Sequence, residues 1–407
     1  MFLRMLKFSW RNLWRNARRT LITGLAVGVG LAALLFTESL MEGMTSHMVT
    51  ATTEPWLGEA QIHREGFLDT RRLELVINRS DTVLAMLSED SLVRAYTARV
   101  ISPASLSSAR EMKPVTLTGV DWTTDPEVSM LESAIDTGSY LSGDSMEIVV
   151  GYRLAEDLRA ELGDVLVMTA AGMDSGLAGS MYVLSGICRF GSEKQDRYMA
   201  FVNIGSADDL LGMNGGVHEI AVSFPDPELA SDTSLAFWDR YSGFGNAAES
   251  WRELSPQLTG MLDMVDMSMF IMSVILFGLV VFGIVNSLFM SVYERMFELG
   301  IMKAVGTRPG TMAAMVIMEA FWLGVISTAI GLALGLATIW ITSGTGISFG
   351  EIQFSGVVFD RPIFPEITFA GGWIYPAFTL LLTTFAGVFP GIHAARRDPA
   401  ESMRRSL

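Results

Sequence analysis

From Ser268 to Val292 the chain runs 25 residues without a charge. About 20 apolar residues in a helix cross the hydrocarbon core of a bilayer, and in lipid a helix satisfies its own backbone polar groups, so this run predicts a membrane span. Three others share its character. Thr20–Leu40 carries one charge, Glu38, at its far end; Ala313–Ile341 carries only Glu319; Trp373–His393 opens on the aromatic anchors Trp373 and Tyr375 and has Pro390 near its end. The chain is half apolar with a mean hydropathy of +0.37, yet 18% of it is charged, too much for membrane helices alone. Part of it must stand in water.

That part is Met41–Asp266, which has no comparable apolar run and holds 15 Lys and Arg against 35 Asp and Glu, a net charge of −20. Strand-like and helix-like pieces alternate along it. Strands are expected at Glu147–Val150, Asp164–Ala170, Tyr182–Phe190, Tyr198–Val202 and Val217–Ser223. Helices are expected at Arg153–Glu161 and Ser206–Leu211, the second capped by Ser206. Between two of the strands lies AAGMDSGLAGS, read as a flexible turn. The expected fold is an α-helical membrane protein with four transmembrane helices plus an inserted α+β domain.

The positive charge is at the ends and in one island. Arg4, Lys7, Arg11, Arg15 and Arg18 fall on one face of a helix, with Leu3, Leu6, Trp10, Leu13 and Trp14 on the other, a pattern suited to the headgroup layer with the arginines on anionic lipid. An uncleaved anchor fits this better than a signal peptide, because no small-x-small cleavage pattern follows the first apolar run. The terminal segments and the island Tyr293–Gly310 hold 13 of the 29 Lys and Arg. By the positive-inside rule they are cytoplasmic, which puts the acidic domain on the periplasmic side of an inner membrane. Gly24 and Gly28 form a G-x-x-x-G pair that would let another helix approach closely.

The island, YERMFELGIMKAVGTRPG, fits either a plain loop or a helix lying along the membrane surface. On a helix, Phe297, Gly300, Ile301, Ala304 and Val305 share a face, while Arg295 and Glu298 lie away from it. Gly306 suits a C-cap and Pro309 cannot continue the helix. Glu319, an acid in an apolar run about 13 Å of helix beyond Gly310, is a functional candidate by default, either bonding a neighbouring helix or the island, or moving a proton or ion.

Several chemistries are disfavoured. Cys188 is the only cysteine, so there is neither an internal disulfide nor a thiolate-rich metal site, and His47, His63, His218 and His393 are scattered. No carboxylate pair has a spacing that argues for hydrolysis. Lys7, Lys113, Lys194 and Lys303 are the only lysines and none precedes Ser or Thr, so there is no P-loop. If ATP is used, a partner must bind it.

The residues YERMFELGIMKAVGTRPGTMAAMVIMEAFWLGVISTAIGLALG resemble the signature region of the MacB/FtsX-like ABC transporter permeases, where E-R-x-x-E-[IL]-G-x-x-[KR]-A-x-G-[AT] joins the second and third spans. Glu294, Arg295, Glu298, Leu299, Gly300, Lys303, Ala304, Gly306 and Thr307 fit it, and Glu319 with Gly324, Gly331 and Gly335 resembles the next helix. PGIHAARRDPAESMR resembles the family's closing pattern, and WRNLWRNARRTLITGLAVGVG its opening helix. GEAQIHREGF and GYRLAEDLRAELGDVLVMT are similar to parts of the periplasmic domain, the first in LolE-like members.

The resemblance implies a mechanotransmission permease with no catalytic group of its own. Its parts would be a cytoplasmic amphipathic helix (1–19), a span (20–40), a periplasmic domain (41–266), a span (267–292), a coupling helix (293–310), a span (311–341), a periplasmic loop (342–372), a span (373–393) and a cytoplasmic tail (394–407). Glu294, Arg295, Phe297, Glu298, Gly300, Lys303, Ala304, Gly306 and Arg308 would meet a cytoplasmic ABC ATPase dimer that holds the ATP and Mg2+. A second copy or a paralogue would complete the complex in the lipid. The hairpin of Gly172, Met173, Asp174, Gly176 and Leu177 sits where lipoprotein-releasing members engage a soluble chaperone, though its tip is short and glycine-rich and a plain mobile hairpin is the default. Efflux of drugs, toxins or peptides through an adaptor, and FtsX-like control of a cell-wall hydrolase, are the competing functions. Nothing points to nucleic acid.

Overall fold

The computed structural model describes residues 2–174, 176–348, 350, 352–354, 357–359 and 362–396, with the backbone alone for residues 2–6, 228, 352–354, 357–359 and 370. The side chains of Leu3, Arg4 and Leu6, of the loop aromatics Phe349, Phe354 and Phe359, and the closing motif from Arg397 lie outside the described residues. The chain divides into two compact units: residues 1–46, 262–349 and 361–407 form one, and residues 47–261 with 350–360 the other.

In chain order, helix α1 (Phe2–Arg15) and helix α2 (Ala17–Thr52) lead to strands β1 (Ala60–Arg64), β2 (Ala95–Ser107), β3 (Met112–Val120), β4 (Ile135–Gly138) and β5 (Glu147–Gly151). Helix α3 (Tyr152–Leu158), strands β6 (Val165–Ala171), β7 (Leu177–Cys188) and β8 (Met199–Asn203), helix α4 (Ile204–Leu211), and strands β9 (Glu219–Ser223) and β10 (Asn246–Ser250) follow. Helices α5 (Pro256–Glu294), α6 (Met296–Ala304) and α7 (Pro309–Thr345) come next, then a two-stranded hairpin of β11 (Ile352–Phe354) and β12 (Val357–Phe359), and last helices α8 (Tyr375–Ala386) and α9 (Val388–Arg396).

Among the described residues, four helical segments are long and apolar enough to cross a membrane: Ala17–Leu57, Pro256–Glu294, Pro309–Thr345 and Gly371–Arg396. The first three outrun their apolar stretches, α2 by carrying on through the more polar Met41–Thr52. The fourth is not one helix. A π-turn at Ala370–Ile374 leads into α8, which stops at Gly387 before α9 begins.

Small residues set the packing. A side chain on Gly28 would press on Ser327 O at 3.0 Å and the Ile330 side chain at 2.8 Å, and one on Gly331 would meet Gly28 O at 2.9 Å. The Gly24–Gly28 pair therefore receives α7, whose own Gly331 and Gly335 face Leu31 and Leu35. Leu13, Val27, Val280, Ile284, Leu288, Ala320, Leu323 and Ala386 close one core across α1, α2, α5, α7 and α8.

In the other unit a ten-stranded mixed sheet runs in the order β10-β1-β9-β2-β3-β8-β5-β7-β4, with β6 pairing β2 and β7. Helices α3 and α4 cover one face, over Val100, Leu117, Ile148, Val150, Leu166, Met168 and Val202. On the other face Trp56, Val120, Leu131, Val149 and Phe201 pack together.

A buried ionic cluster pins this second core. Arg99, fully buried, donates to Asp125 (3.0 Å), Glu219 (2.9 Å) and the Trp56 carbonyl (2.7 Å), with its guanidinium 3.5 Å over the Trp56 ring. Every large charge in it has a partner, as burial demands. Burial works to raise the Glu219 carboxyl, but the His63 ring, with Nε2 3.5 Å away, and the charge of Arg99 bring it below its ordinary value.

The expected strands appear within a few residues of their predicted limits, apart from β7, which begins at Leu177 rather than Tyr182. The cap of α4 is a correction: Asn203 accepts from the Gly205 N–H at 2.9 Å. Ser206 is buried instead, bonded to Ser145 O (2.8 Å) and Tyr182 Oη (3.0 Å), so its hydroxyl is not free to cap.

Candidate functional site

The island folds as a helix, α6, hinged at both ends. Arg295 interrupts the helical path between α5 and α6. At the other end Gly306 takes φ +100°, a left-handed conformation that costs a glycine little. Its N–H donates to Lys303 O and that of Thr307 to Met302 O, both at 3.0 Å, which is a Schellman closure. Arg308 caps α7 and Pro309 occupies its first turn.

The apolar face expected on α6 is divided. Leu299 and Gly300 are buried, Leu299 packing with Val292, Met312, Val316 and Ala394. Phe297 (47%), Ile301 (44%) and Val305 (84%) are exposed in a stripe along one side, with Ala304 exposed beside them. Lys303 Nζ donates to Ala395 O at 3.1 Å, tying α6 to α9.

The charged residues face inward to one another. Glu319, 6% exposed, accepts from Asn12 Nδ2 (3.1 Å), Ser291 Oγ (2.9 Å) and Arg295 Nη1 (3.2 Å). Arg295 also reaches Glu298 at 3.4 Å, and Arg15 holds Glu298 with two hydrogen bonds of 2.8 and 3.2 Å. Arg19 meets Glu294 at 2.6 Å. The Arg15 hydrogen bond, reinforced by Arg295 against a small opposing effect of burial, holds the Glu298 carboxyl below the usual carboxylate range. Charge-assisted hydrogen bonds of this kind are the stronger ones.

One expectation changes here. The arginines of α1 were read as meeting lipid, but Arg15 faces the island acid Glu298, and Arg19, at the start of α2, faces Glu294. Glu319 joins α1, α5 and the island hinge, which fits the bonding role. Nothing in the linear pattern pairs residues almost 300 positions apart, so only opposite charges at the two places hint at it.

The hairpin residues lie together at the β6–β7 turn. The turn is tied down rather than loose: Gly172 N–H donates to Gly176 O (2.9 Å), Met173 N–H to Leu211 O (2.8 Å) and Gly176 N–H to Asp174 Oδ1 (2.9 Å). The apolar residues the tip lacks lie on the strands. Val165 faces Val183, Val167 faces Met181 and Ala171 faces Leu177, and all six are exposed, Leu177 at 85% and Met181 at 58%. The signal was available, since alternate positions of a half-buried strand should be polar and these are not.

The membrane unit also holds a cavity of about 430 Å3 between α2, α5 and α8. Its wall is largely apolar, with Met269, Phe270, Phe277, Tyr375 and Phe378, and Glu38 and Asp266 also line it. Among the described residues no group of three or more His, Cys, Asp or Glu is placed to hold a metal ion.

Four apolar spans and an α+β domain define a membrane-spanning protein with a large unit outside the spans. The family model of the MacB-like periplasmic core domain matches residues 20–235, and that of the FtsX-like permease C-terminal region matches residues 270–399. The chain belongs to this family and is an ABC transporter permease. It is 22% identical over 334 residues to the lipoprotein-releasing system transmembrane protein LolC of Xylella fastidiosa, covering 79% of this chain and 80% of that one. With LolC of Neisseria meningitidis the identity is 21% over 399 residues, covering 95% and 94%. Among solved structures it matches the periplasmic region of MacB from Actinobacillus actinomycetemcomitans, with a TM-score of 0.36 and 12% identity over 49% of this chain and 92% of that one.

Proposed function

We propose that this permease couples ATP hydrolysis by a separate cytoplasmic ATPase to the extraction or transfer of lipoprotein or lipid-linked cargo on the periplasmic side. The observation that carries the reading is the exposed Phe297–Ile301–Val305 stripe on a short helix hinged between two spans. Such a stripe in contact with water is costly, while a groove on a partner would bury it. ATP and Mg2+ belong to that partner, and a second permease subunit completes the complex. Motion entering at α6 passes into the long helices α2 and α5.

Two features favour an apolar cargo. The 430 Å3 cavity between α2, α5 and α8 has the lining an acyl chain needs. The bare apolar face of the β6–β7 hairpin offers a soluble partner a place to receive it. Relatives named as lipoprotein-releasing, matched over 80% and 94% of their length, support the same cargo class.

The test is affinity purification of the tagged full chain from its host in detergent. An ABC ATPase should be retained, and lost with Phe297→Asp/Ile301→Asp or Gly300→Trp. A soluble lipoprotein carrier, an efflux adaptor or a cell-wall hydrolase recovered alongside would each select one function, and only the first agrees with this reading. If the unaltered chain retains no ATPase, the reading fails.

A further inference from the structure

We propose that α1 is a strut that ties the island to α2, so that α2 and α5 are driven together. This rests on the reading above, in which an outside motor moves α6. Helix α5 leads into the island through the hinge at Arg295, but α2 has no such continuity with it. What α2 has instead is α1, joined at a bend around Asn16. Thr20 Oγ1 donates to Leu13 O (2.9 Å) and Asn16 O (3.3 Å) across that bend, which keeps the two helices from swinging freely.

The bend is gripped on both sides by the island. Arg15, just before it, takes Glu298 on α6 with two hydrogen bonds. Arg19, just after it, takes Glu294 at the end of α5. One turn back, Asn12 shares the buried Glu319 carboxylate with Arg295 and Ser291. Helix α1 is seated from behind as well: Ser9 Oγ donates to Met315 O (3.3 Å), Trp10 packs edge-on to Trp322 with ring centroids 4.8 Å apart, and Leu13 is 4% exposed. A displacement of α6 therefore pulls on α2 at the same end and in the same step as on α5.

Helices α2 and α5 also touch directly, through Thr23 Oγ1 and Ser287 Oγ at 2.9 Å and through Val27 against Val280 and Ile284. Those contacts are neutral and apolar. They resist separation, whereas the ion pairs fix the island's charges against α1. Exposed ion pairs are individually weak, so the strut relies on Arg15, Arg19 and the buried Glu319 contacts acting together.

The experiment measures separation within one chain, in the purified permease–ATPase complex. Spin labels go on exposed positions of the two helices, Val29 on α2 and Ile275 on α5; the only native cysteine, Cys188, is buried. In the unaltered chain the α2–α5 distance should be the same without nucleotide and with ATP plus vanadate. In Arg15→Glu/Arg19→Glu the nucleotide should shift it by roughly 5 Å, the scale of one helical turn. Arg15→Gln/Arg19→Gln, which keeps chain length without repulsion, should show a smaller shift if the reversal does not fold. An unchanged distance in the charge-reversed or neutralised chains, or a shift in the unaltered one, overturns the strut. Failure of any ATPase to bind the unaltered chain overturns the proposed function itself.

Discussion

Replacing Glu319 separates two contributions that the structure makes distinct. Glu319→Gln keeps the shape: the amide oxygen can accept from Asn12 and Arg295, and its NH2 faces Ser291, a hydroxyl that can turn from donor to acceptor. What is lost is the carboxylate's charge: the Asn12 and Ser291 bonds turn neutral while that of Arg295 keeps its charged donor, about 2 kcal/mol in all. Glu319→Ala removes all three bonds and leaves Arg295, 14% exposed, with only Glu298 at 3.4 Å. Three charge-assisted bonds at about 1.5–2 kcal/mol each give roughly 5 kcal/mol, at the upper end of the range for breaking a buried pair. The difference between the variants, about 3 kcal/mol, is about two decades in the unfolding equilibrium. Denaturant unfolding of the purified chain in detergent, followed by tryptophan emission, reads it, since Trp10 and Trp322 pack together beside this site. If alanine and glutamine stay within 1 kcal/mol of each other, Glu319 is not the hub described.

Arg99→Met should cost the α+β unit about 3–5 kcal/mol, because Asp125 and Glu219 would remain buried without their cation; calorimetry of the full chain gives the number, and a loss below 1 kcal/mol would refute the cluster's role. Gly28→Val should cost about 1–3 kcal/mol in thermal stability by forcing α7 off α2, whereas the same change at Gly278, which has open space beside it, should cost far less. The pH dependence has a definite sign. His218 accepts from the Ile101 N–H (3.0 Å) and lies 3.0 Å from Leu73 O, and burial depresses its pKa below 6.5. The folded state then binds fewer protons, so stability is intact above about pH 6.5 and falls as pH drops through the depressed value. His218→Gln should flatten the fall of the unfolding midpoint just below about pH 6.5, and an unchanged slope would assign the loss to another group.

The spans were legible because a long uncharged run has few other outcomes, and the short strands because alternation and turn residues agree. The island was legible only in part: Gly306 and Pro309 mark where a helix would end, but composition fitted a plain loop as well. What escaped the sequence was interaction at a distance. Arg15 reads as a lipid-facing cation because nothing local pairs it, and its acid, Glu298, comes 283 residues later. The run of α2 beyond Leu40 escaped because Met41–Thr52 lacks an apolar signal, and residues outside lipid need none to stay helical. The break at Gly387 was hidden in a stretch apolar throughout. Asn203 and Ser206 are both good caps, and only the burial of Ser206 against Tyr182 decides between them.

The central claim is that α6 is where an ATPase docks, and site-specific photo-crosslinking in living cells tests it most directly. A photoreactive residue at Val305, 84% exposed on the stripe, should give a covalent adduct with a P-loop ATPase, while one at Val29, 54% exposed on the span α2, should not. Adducts at Val305 confined to lipid or to proteins without a P-loop would contradict the account.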